Sequence, residues 1–217
     1  MNLADPTTLY IGLQHVGVAI SAISGVLAAR GRGVDLFGVV VLALVTALGG
    51  GTLRDICLGA TPVFWIADWR YALTAAGTGI AAFWWVRHLG PVLKWYEVAD
   101  AGALALFTIV GATKTLWLGA DGFSAVVMGT VTGVAGGVFR DVLMNELPLV
   151  FRPEIRLYAT AAIAGATVFV GLNGVWPGAD WVMLAGVGTT LAIRLAAMRW
   201  ELKLPVFEGR KGDGEGR

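Results

Sequence analysis

The stretch Gly-Gly-Gly-Thr-Leu-Arg-Asp at residues 49–55 ends an apolar run, and Ala-Gly-Gly-Val-Phe-Arg-Asp at residues 135–141 ends another. The two stretches lie 86 residues apart, and the same offset relates further Gly, Pro, Asp, Thr and Phe identities around them. Pro62 matches Pro148, for example, and Asp35 matches Asp121. So many identities at one spacing indicate an internal repeat.

Both copies of the motif are costly if the apolar runs are membrane helices. Each glycine inside a helix costs ~1 kcal/mol relative to alanine. An arginine or aspartate near the bilayer centre costs ~2.5–3.5 kcal/mol. Because these costs fall at the same point of both repeats, they indicate a functional site. The alternative is structural: small residues let helices approach closely, and an Arg-Asp pair can neutralise itself at a helix end.

The composition indicates an integral membrane protein that is all α-helical. The 217 residues are 57% hydrophobic and 14% charged, with a mean hydropathy of +0.73, whereas soluble domains carry ~25% charged residues. The net charge of +1 excludes a polybasic surface for nucleic acid. Cys57 has no second cysteine or nearby histidine, so no metal site is indicated. The chain also lacks His-Glu-x-x-His and Gly-x-Ser-x-Gly motifs, so we expect neither an enzyme nor a cofactor.

Hydropathy predicts seven transmembrane spans. They cover residues 10–29, 36–53, 71–86, a fourth span that begins near Asp100 and contains Lys114, then 122–139, 157–176 and 181–198. The predicted units are a first three-helix repeat (1–89), a second (90–176), a seventh helix (177–200) and a disordered cytoplasmic tail (201–217). Because each repeat has an odd number of spans, the second repeat is expected to be inverted relative to the first.

The distribution of lysine and arginine predicts the orientation. One side of the membrane receives Arg54, Arg70 and Lys114, and the other side receives the remaining thirteen basic residues. The side that is richer in lysine and arginine faces the cytoplasm. We therefore expect an external N-terminus and a cytoplasmic C-terminus in a multi-pass protein of the plasma (inner) membrane.

Matched glycine breaks in two inverted halves point to an ion or solute path. Carbonyl groups at a break lose their helical donors, so a cation or water can bind them. Nearby hydroxyls are expected to help strip water from the cation, aspartates to attract it, and basic residues to compensate charge or gate the path. The hydroxyls belong to Thr46, Thr52 and Thr132, and the aspartates are Asp55 and Asp141. The basic residues are Arg54, Arg140 and Lys114.

Three further expectations concern the charged side chains. Adjacent residues diverge by about 100° on a helix, so each Arg and Asp should pair across to another helix. Lys114 is expected to lie near the permeation path, where it repels ions or holds a gate through Asp55 or a backbone carbonyl. Snorkelling to the headgroups is the alternative. Arg194 in the seventh span is able to snorkel.

Several motifs resemble bacterial members of the trimeric intracellular cation (TRIC) channel family. They are Gly-Gly-Gly-x-Leu-Arg-Asp followed by Pro62, Gly-Gly-x-Phe-Arg-Asp-Val-Leu-x-Asn-Glu-Leu-Pro at residues 136–148, and Gly-Ala-Thr-Lys at residues 111–114. The resemblance covers about residues 12–174, and span seven carries no motif. One departure is Ala135, where the first repeat has Gly49, so the two halves need not kink equally.

The resemblance implies a homotrimer in which each protomer holds its own pore for monovalent cations, mainly potassium. It places the pore between spans one, two, four and five, with the glycine-broken spans two and five at its waist. Bound lipid is a further candidate ligand. The functional positions that carry over are Gly49, Gly50, Gly51, Arg54, Asp55, Lys114, Gly136, Gly137, Arg140 and Asp141.

A secondary transporter of a small solute, such as an amino acid, is the alternative function. Inverted repeats with broken helices fit a transporter equally well, and related bacterial sequences resemble what has been labelled a glycine-transporter domain. Single-channel currents far above transporter turnover would separate the two.

Overall fold

The computed structural model describes residues 6–86, 88, 92–152 and 157–201. These residues form eight α-helices and one 3-10 helix, Leu149–Phe151, with no strand in the described ranges. The α-helices are α1 (Pro6–Ala29), α2 (Leu36–Cys57), α3 (Phe64–Ala67), α4 (Arg70–Val86), α5 (Val92–Trp117), α6 (Gly122–Leu143), α7 (Tyr158–Val175) and α8 (Asp180–Trp200). The all-α prediction is confirmed.

Six of the described helices are long and apolar enough to cross a membrane: α1, α2, α5, α6, α7 and α8. The helix α4 corresponds to the third predicted span. Its 17 residues extend about 25 Å, slightly less than the ~30 Å hydrocarbon core. The polytopic architecture is therefore as predicted, while the count of seven spans stays a prediction. The predicted tail lies outside the described residues beyond Glu201, and the proposed repeat boundary at residues 89 and 90 is also outside them.

The two sequence repeats have matching local structure at α2 and α6. The helices α2 and α6 have 22 residues each and begin after equivalent N-cap aspartates. Asp35 Oδ1 accepts from Gly38 N at 2.8 Å, and Asp121 Oδ1 accepts from Ser124 N at 3.0 Å. Hydrogen bonds from the Ser124 backbone and hydroxyl lower the pKa of the Asp121 carboxyl. Such caps satisfy amide groups that a helix start leaves free.

Four helices form the centre of the protein. The helix α1 packs against α2 and α5, and α6 packs against the same two helices. The helix α4 covers α1 and α2, while α7 covers α5 and α6, and α8 packs on α5 and α7. The helix α5 is the most enclosed of the six long helices. The motif residues of both repeats thus lie on helices that surround one central axis.

The predicted glycine breaks are wrong. The helix α2 runs without interruption through residues 49–51, and α6 does the same through residues 135–137. A methyl group on Gly50 would collide with the carbonyl oxygen of Thr132, and one on Gly136 would collide with that of Thr46. These glycines therefore permit a close backbone crossing of α2 and α6, as the structural alternative predicted. Keeping the helical hydrogen bonds also avoids unpaired backbone groups inside the membrane.

Candidate functional site: two charge clusters in the four-helix centre

Threonine hydroxyls lie beside the crossing of α2 and α6. The hydroxyls of Thr46 and Thr132 donate to carbonyls four residues earlier, at 2.6 and 2.5 Å. A Cβ on Gly25 would lie 2.9 Å from the Thr46 hydroxyl, and one on Gly111 would lie 2.5 Å from that of Thr132. These two contacts are again equivalent under the 86-residue offset. Each hydroxyl uses its proton within its own helix, so its lone pairs are what it can offer a cation.

The other predicted residues of the first repeat lie one turn further along α2. The Thr52 hydroxyl donates to the Leu48 carbonyl at 2.8 Å and accepts from Trp65 Nε1 at 3.0 Å. A Cβ on Gly49 would lie 2.6 Å from the Phe139 ring, and one on Gly51 would lie 2.5 Å from a ring atom of Phe64. Gly49 and Gly51 therefore make room for aromatic rings.

The first charge cluster consists of Arg54, Asp55 and Lys114. Arg54 and Asp55 are 1% and 0% exposed. Arg54 Nε donates to Asp55 Oδ1 at 2.9 Å, and Lys114 Nζ lies 2.7 Å from the same oxygen. The second oxygen, Oδ2, accepts from Phe64 N at 2.8 Å. Two cations thus share one carboxylate oxygen. The contact between Asp55 and Lys114 is one of the two that were expected for this lysine.

Lys114 is the most accessible member of this cluster. Its side chain retains 20% exposure on α5. Arg54 Nη2 also lies 2.9 Å from Asp55 Oδ1, but without the geometry of a hydrogen bond. The Arg54 guanidinium carbon stands 5.6 Å from the centre of the Phe64 ring, within cation–π range. Asp55 therefore anchors a buried arginine and a half-buried lysine.

The second charge cluster consists of Arg140, Asp141 and Asp100. Arg140 Nε donates to Asp141 Oδ1 at 2.8 Å, and its Nη1 donates to Asp100 Oδ1 at 2.8 Å. Nη1 also donates to the Ser24 hydroxyl at 2.6 Å. All three charged residues are buried, with at most 3% exposure. One guanidinium here is held by two carboxylates.

Asp141 has no oxygen without a donor. The Tyr96 hydroxyl donates to Oδ1 at 3.0 Å, in addition to Arg140, and Leu149 N donates to Oδ2 at 2.9 Å. The Arg140 guanidinium carbon lies 4.6 Å from the centre of the Tyr96 ring. These contacts fix the carboxylate from α5, α6 and the following 3-10 helix.

Gly137 leaves space for this second cluster. A Cβ at this position would lie 3.2 Å from the Tyr158 hydroxyl and 3.4 Å from both Arg140 Nη2 and Asp100 Oδ1. Arg194, which was considered able to snorkel, is instead 1% exposed, and its guanidinium carbon lies 4.8 Å from the centre of the Tyr158 ring. Arg194 does not snorkel because α7 covers that face of α8.

The predicted pairing of each Arg and Asp with another helix holds only in part. Among the described residues, the Arg54 hydrogen bond goes to its chain neighbour Asp55, whereas Asp55 also contacts Lys114 on α5. Arg140 makes the same contact with Asp141 but also reaches Asp100 on α5. The two clusters therefore share a local contact and differ in their contacts between helices.

A cavity of about 260 Å³ opens beside the second cluster. Its lining residues are Leu27, Ala28, Arg30, Arg32, Tyr96, Asp141, Met144, Glu146 and Arg152. Glu146 pairs with Arg32 at 2.6 Å and with Arg152 at 3.1 Å. In the described ranges, no group of three His, Cys, Asp or Glu side chains is placed to hold a metal ion.

Comparison with known proteins identifies the family. A family profile described as glycine transporter matches residues 12–87 and 97–173. The UPF0126 inner membrane protein YadS of Escherichia coli K12 is 44% identical over 197 residues, which cover 90% of this chain and 94% of that protein. A UPF0126 membrane protein of Vibrio cholerae is 43% identical over 204 residues, which cover 94% of this chain and 84% of that protein.

Comparison with solved structures shows which fold the chain shares. The TRIC trimeric intracellular cation channel orthologue from Rhodobacter sphaeroides superposes with a TM-score of 0.85 at 35% identity, covering 90% of this chain and all of that one. The chain is a bacterial member of the TRIC channel family. A prokaryotic TRIC channel solved in 0.5 M KCl also matches, with a TM-score of 0.83 at 28% identity, covering 91% of this chain and all of that one. The recognition made from the motifs is confirmed.

In this TRIC family chain, sequence reasoning missed Ser24, Tyr96 and Tyr158 as site residues. Asp100 was noted only as the residue near which the fourth span begins. The available signal was the position of Asp100. It lies only 14 positions before Lys114, and a helix of that length is too short to place both charges at the membrane surfaces. Serine and tyrosine carry no comparable signal, because both are frequent in apolar helices and at interfaces.

Proposed function

We propose that this protein is a potassium-permeable channel for monovalent cations, with a pore inside each protomer of a homotrimer. The observation that carries the proposal is the match to TRIC cation channels over nine-tenths of the chain. The pore is assigned to the centre between α1, α2, α5 and α6, the four helices that contact one another in a ring. The same neighbours are channels, which fits a protein that is not an enzyme.

The buried charges support a path through this centre. Arg54, Asp55, Arg140 and Asp141 are each at most 2% exposed, and charged groups inside membrane proteins usually mark ion paths. Their carboxylates attract cations, while the basic partners limit that attraction. Gly50 and Gly136 bring the neighbouring helices α2 and α6 into backbone contact along one side of this centre. A bound lipid is proposed as a further ligand, on the surface between helices.

The proposed orientation places the N-terminus outside and the C-terminus in the cytoplasm, with inverted repeats. Arg54, Arg140 and Arg194 are buried, and Lys114 is only 20% exposed and paired with Asp55, so these four residues do not report on topology. Two of these four come from the external set of three basic residues, and two come from the cytoplasmic set of thirteen. Without them, one basic residue remains on the external side and eleven remain on the cytoplasmic side. The bias has the same sign as before, which supports the orientation.

A transporter of a small solute is the second candidate, because the matching family profile is described as glycine transporter. The solved relatives favour the channel. A transporter would move labelled glycine into vesicles at a saturable rate without single-channel events. A channel would pass discrete currents and show no saturable glycine uptake.

A planar-bilayer recording of the purified full chain in asymmetric potassium chloride tests the proposal. We expect discrete currents that reverse near the potassium equilibrium potential. Protein-free bilayers and the same protein denatured by heat serve as controls. A reversal potential near the chloride value, or the absence of current with intact trimer, would refute the channel.

A further inference from the structure

The last helix, α8, lies outside both segments that the family profile matches, residues 12–87 and 97–173. It packs against α5 and α7. Its Arg194 stands with Arg54 and Arg140 as the three largest side chains that are fully buried in the described part of the chain. A charged group inside a membrane helix is costly and is usually retained for a function. The repeated Arg-Asp motif does not account for Arg194, because Arg194 belongs to neither repeat.

Tyr158 on α7 connects Arg194 to the second charge cluster. The guanidinium carbon of Arg194 lies 4.8 Å from the centre of the Tyr158 ring, within cation–π range. A Cβ added to Gly137 would lie 3.2 Å from the Tyr158 hydroxyl, and the same atom would lie 3.4 Å from Arg140 Nη2 and from Asp100 Oδ1. The charges of Asp100, Arg140 and Arg194 all act on the Tyr158 hydroxyl. One buried tyrosine thus faces the α8 arginine with its ring and places its hydroxyl beside the cluster.

The first repeat lacks the residues that make this connection. Tyr158 lies 86 residues after Ala72, and Asp100 lies 86 residues after Gln14. Alanine has neither ring nor hydroxyl, and a glutamine amide carries no charge. The second repeat therefore has an added carboxylate together with the tyrosine that links it to a guanidinium from α8. Because both features occur in the same repeat, they fit one electrostatic role.

We infer that α8 is a functional part of the pore and that Arg194 is a positioning residue for the second charge cluster. Asp100 Oδ1 accepts from Arg140 at 2.8 Å. Its second oxygen, Oδ2, is buried without a hydrogen bond among the described residues, so nearby positive charge compensates its loss of hydration. The guanidinium of Arg194 supplies such charge across the Tyr158 ring, where the low dielectric of the interior keeps the interaction strong.

The consequence for conduction rests on the proposed function. Asp100 and Asp141 give the second cluster a negative potential that attracts cations, and the guanidinium of Arg194 limits this potential. Loss of Arg194 should therefore raise the potassium current. The increase should be largest at low salt, where charges are least screened. A purely structural role of Arg194 predicts no such dependence on salt.

A double-mutant cycle measures the link between Arg194 and Asp100 without any current. The full chain and its variants are melted in detergent, with tryptophan fluorescence as the signal. Arg194→Gln should lower the melting temperature of the wild type, and should lower that of Asp100→Asn by less than half as much. Arg199→Gln is the control, because Arg199 is exposed on the same helix, and it should change neither background. Additive losses from Arg194→Gln and Asp100→Asn would overturn the inference.

A milder variant keeps the test decisive if Arg194→Gln does not fold. Tyr158→Phe keeps the ring that faces Arg194 and removes only the hydroxyl beside the cluster. It should lower the melting temperature in the native background and have little effect in the Asp100→Asn background. Tyr71→Phe is the matched control, a buried tyrosine of the first repeat, and should act equally in both backgrounds. Equal effects of Tyr158→Phe in both backgrounds would break the proposed connection.

Bilayer currents then show whether this link reaches the pore. Arg194→Gln should raise the ratio of potassium conductance at about 0.05 M salt to that at about 1 M by roughly twofold. The charge-conserving Arg194→Lys should restore the wild-type ratio. An unchanged ratio in Arg194→Gln, or no restoration by Arg194→Lys, would exclude α8 from the pore. Absence of current in the wild type would refute the proposed channel, and the melting cycle would still decide the link between Arg194 and Asp100.

Discussion

Gly50 on α2 lies directly against the carbonyl oxygen of Thr132 on α6, with no room for a methyl group between them. The equivalent residues Gly136 and Thr46 make the reciprocal contact. The two helices are thus held at backbone distance by a pair of matching contacts. Any side chain at either glycine must push the helices apart.

Gly50→Ala should destabilise the folded protein by about 1–3 kcal/mol, because the added methyl meets backbone rather than a movable side chain. Thermal unfolding in detergent, followed by tryptophan fluorescence, measures the change. Gly77→Ala on α4 is the matched control, since a Cβ there meets nothing within 4 Å. That control should be neutral or slightly stabilising. Equal melting temperatures for the two variants would contradict the close crossing.

Asp100→Asn should destabilise the protein by roughly 3 kcal/mol, because it removes one of two carboxylates from a buried guanidinium. The carboxylate and Arg140 are separated by 2.8 Å, and both side chains are at most 4% exposed. Asp68→Asn is the control, since the ion pair of Asp68 with Arg70 lies at the surface. We expect the control to melt with the wild type. A melting temperature for Asp100→Asn that also matches the wild type would show that Arg140 does not depend on Asp100.

Lys114→Gln should raise cation conductance or open probability and flatten any voltage dependence. The substitution removes a positive charge from beside Asp55 while Arg54 and the Phe64 amide still hold that carboxylate, so folding should survive. A charge crossing the whole field is worth ~2.3 kcal/mol per 100 mV. Single-channel recording in symmetric potassium chloride provides the measurement, with Lys114→Arg as the charge-conserving control. If current, open probability and voltage response all match the wild type, Lys114 is only an anchor.

A reporter fused after Arg217 should be read on the cytoplasmic side, and one fused before Met1 on the external side. The expected outcome follows from an odd number of spans together with the basic bias of the inner loops. Paired fusions of an enzyme active only outside and a fluorophore active only inside make the assignment. Two ends on the same side would require an even number of spans and would remove the basis for an inverted repeat.

The helical fold and the location of the site could be predicted because both depend on chemistry that is local in the chain. Long apolar runs must form helices in a membrane, since every backbone group needs a partner. The aspartates before α2 and α6 mark where these helices begin. The repeated Arg-Asp pair was recognisable because charge is rare and costly in such runs. These features need no knowledge of which helices touch.

The role of the glycines could not be decided in the same way. A run of glycines is compatible with a broken helix or with a close helix crossing, since both exploit the absence of a side chain. The choice depends on what lies opposite. The backbone of α6 at Thr132 lies opposite Gly50, so the glycines serve the crossing and the helix stays whole.

Sequence alone determined that this chain is a repeated, all-helical membrane protein with a charged motif in each half. Only the tertiary structure decided the partners of those charges. Lys114 is 59 residues from Asp55 in the chain and 2.7 Å from it in space, whereas Asp100 is 40 residues from Arg140 and 2.8 Å away. The physical reason is that electrostatic pairing acts through distance and burial, and both are set by how α1, α2, α5 and α6 pack.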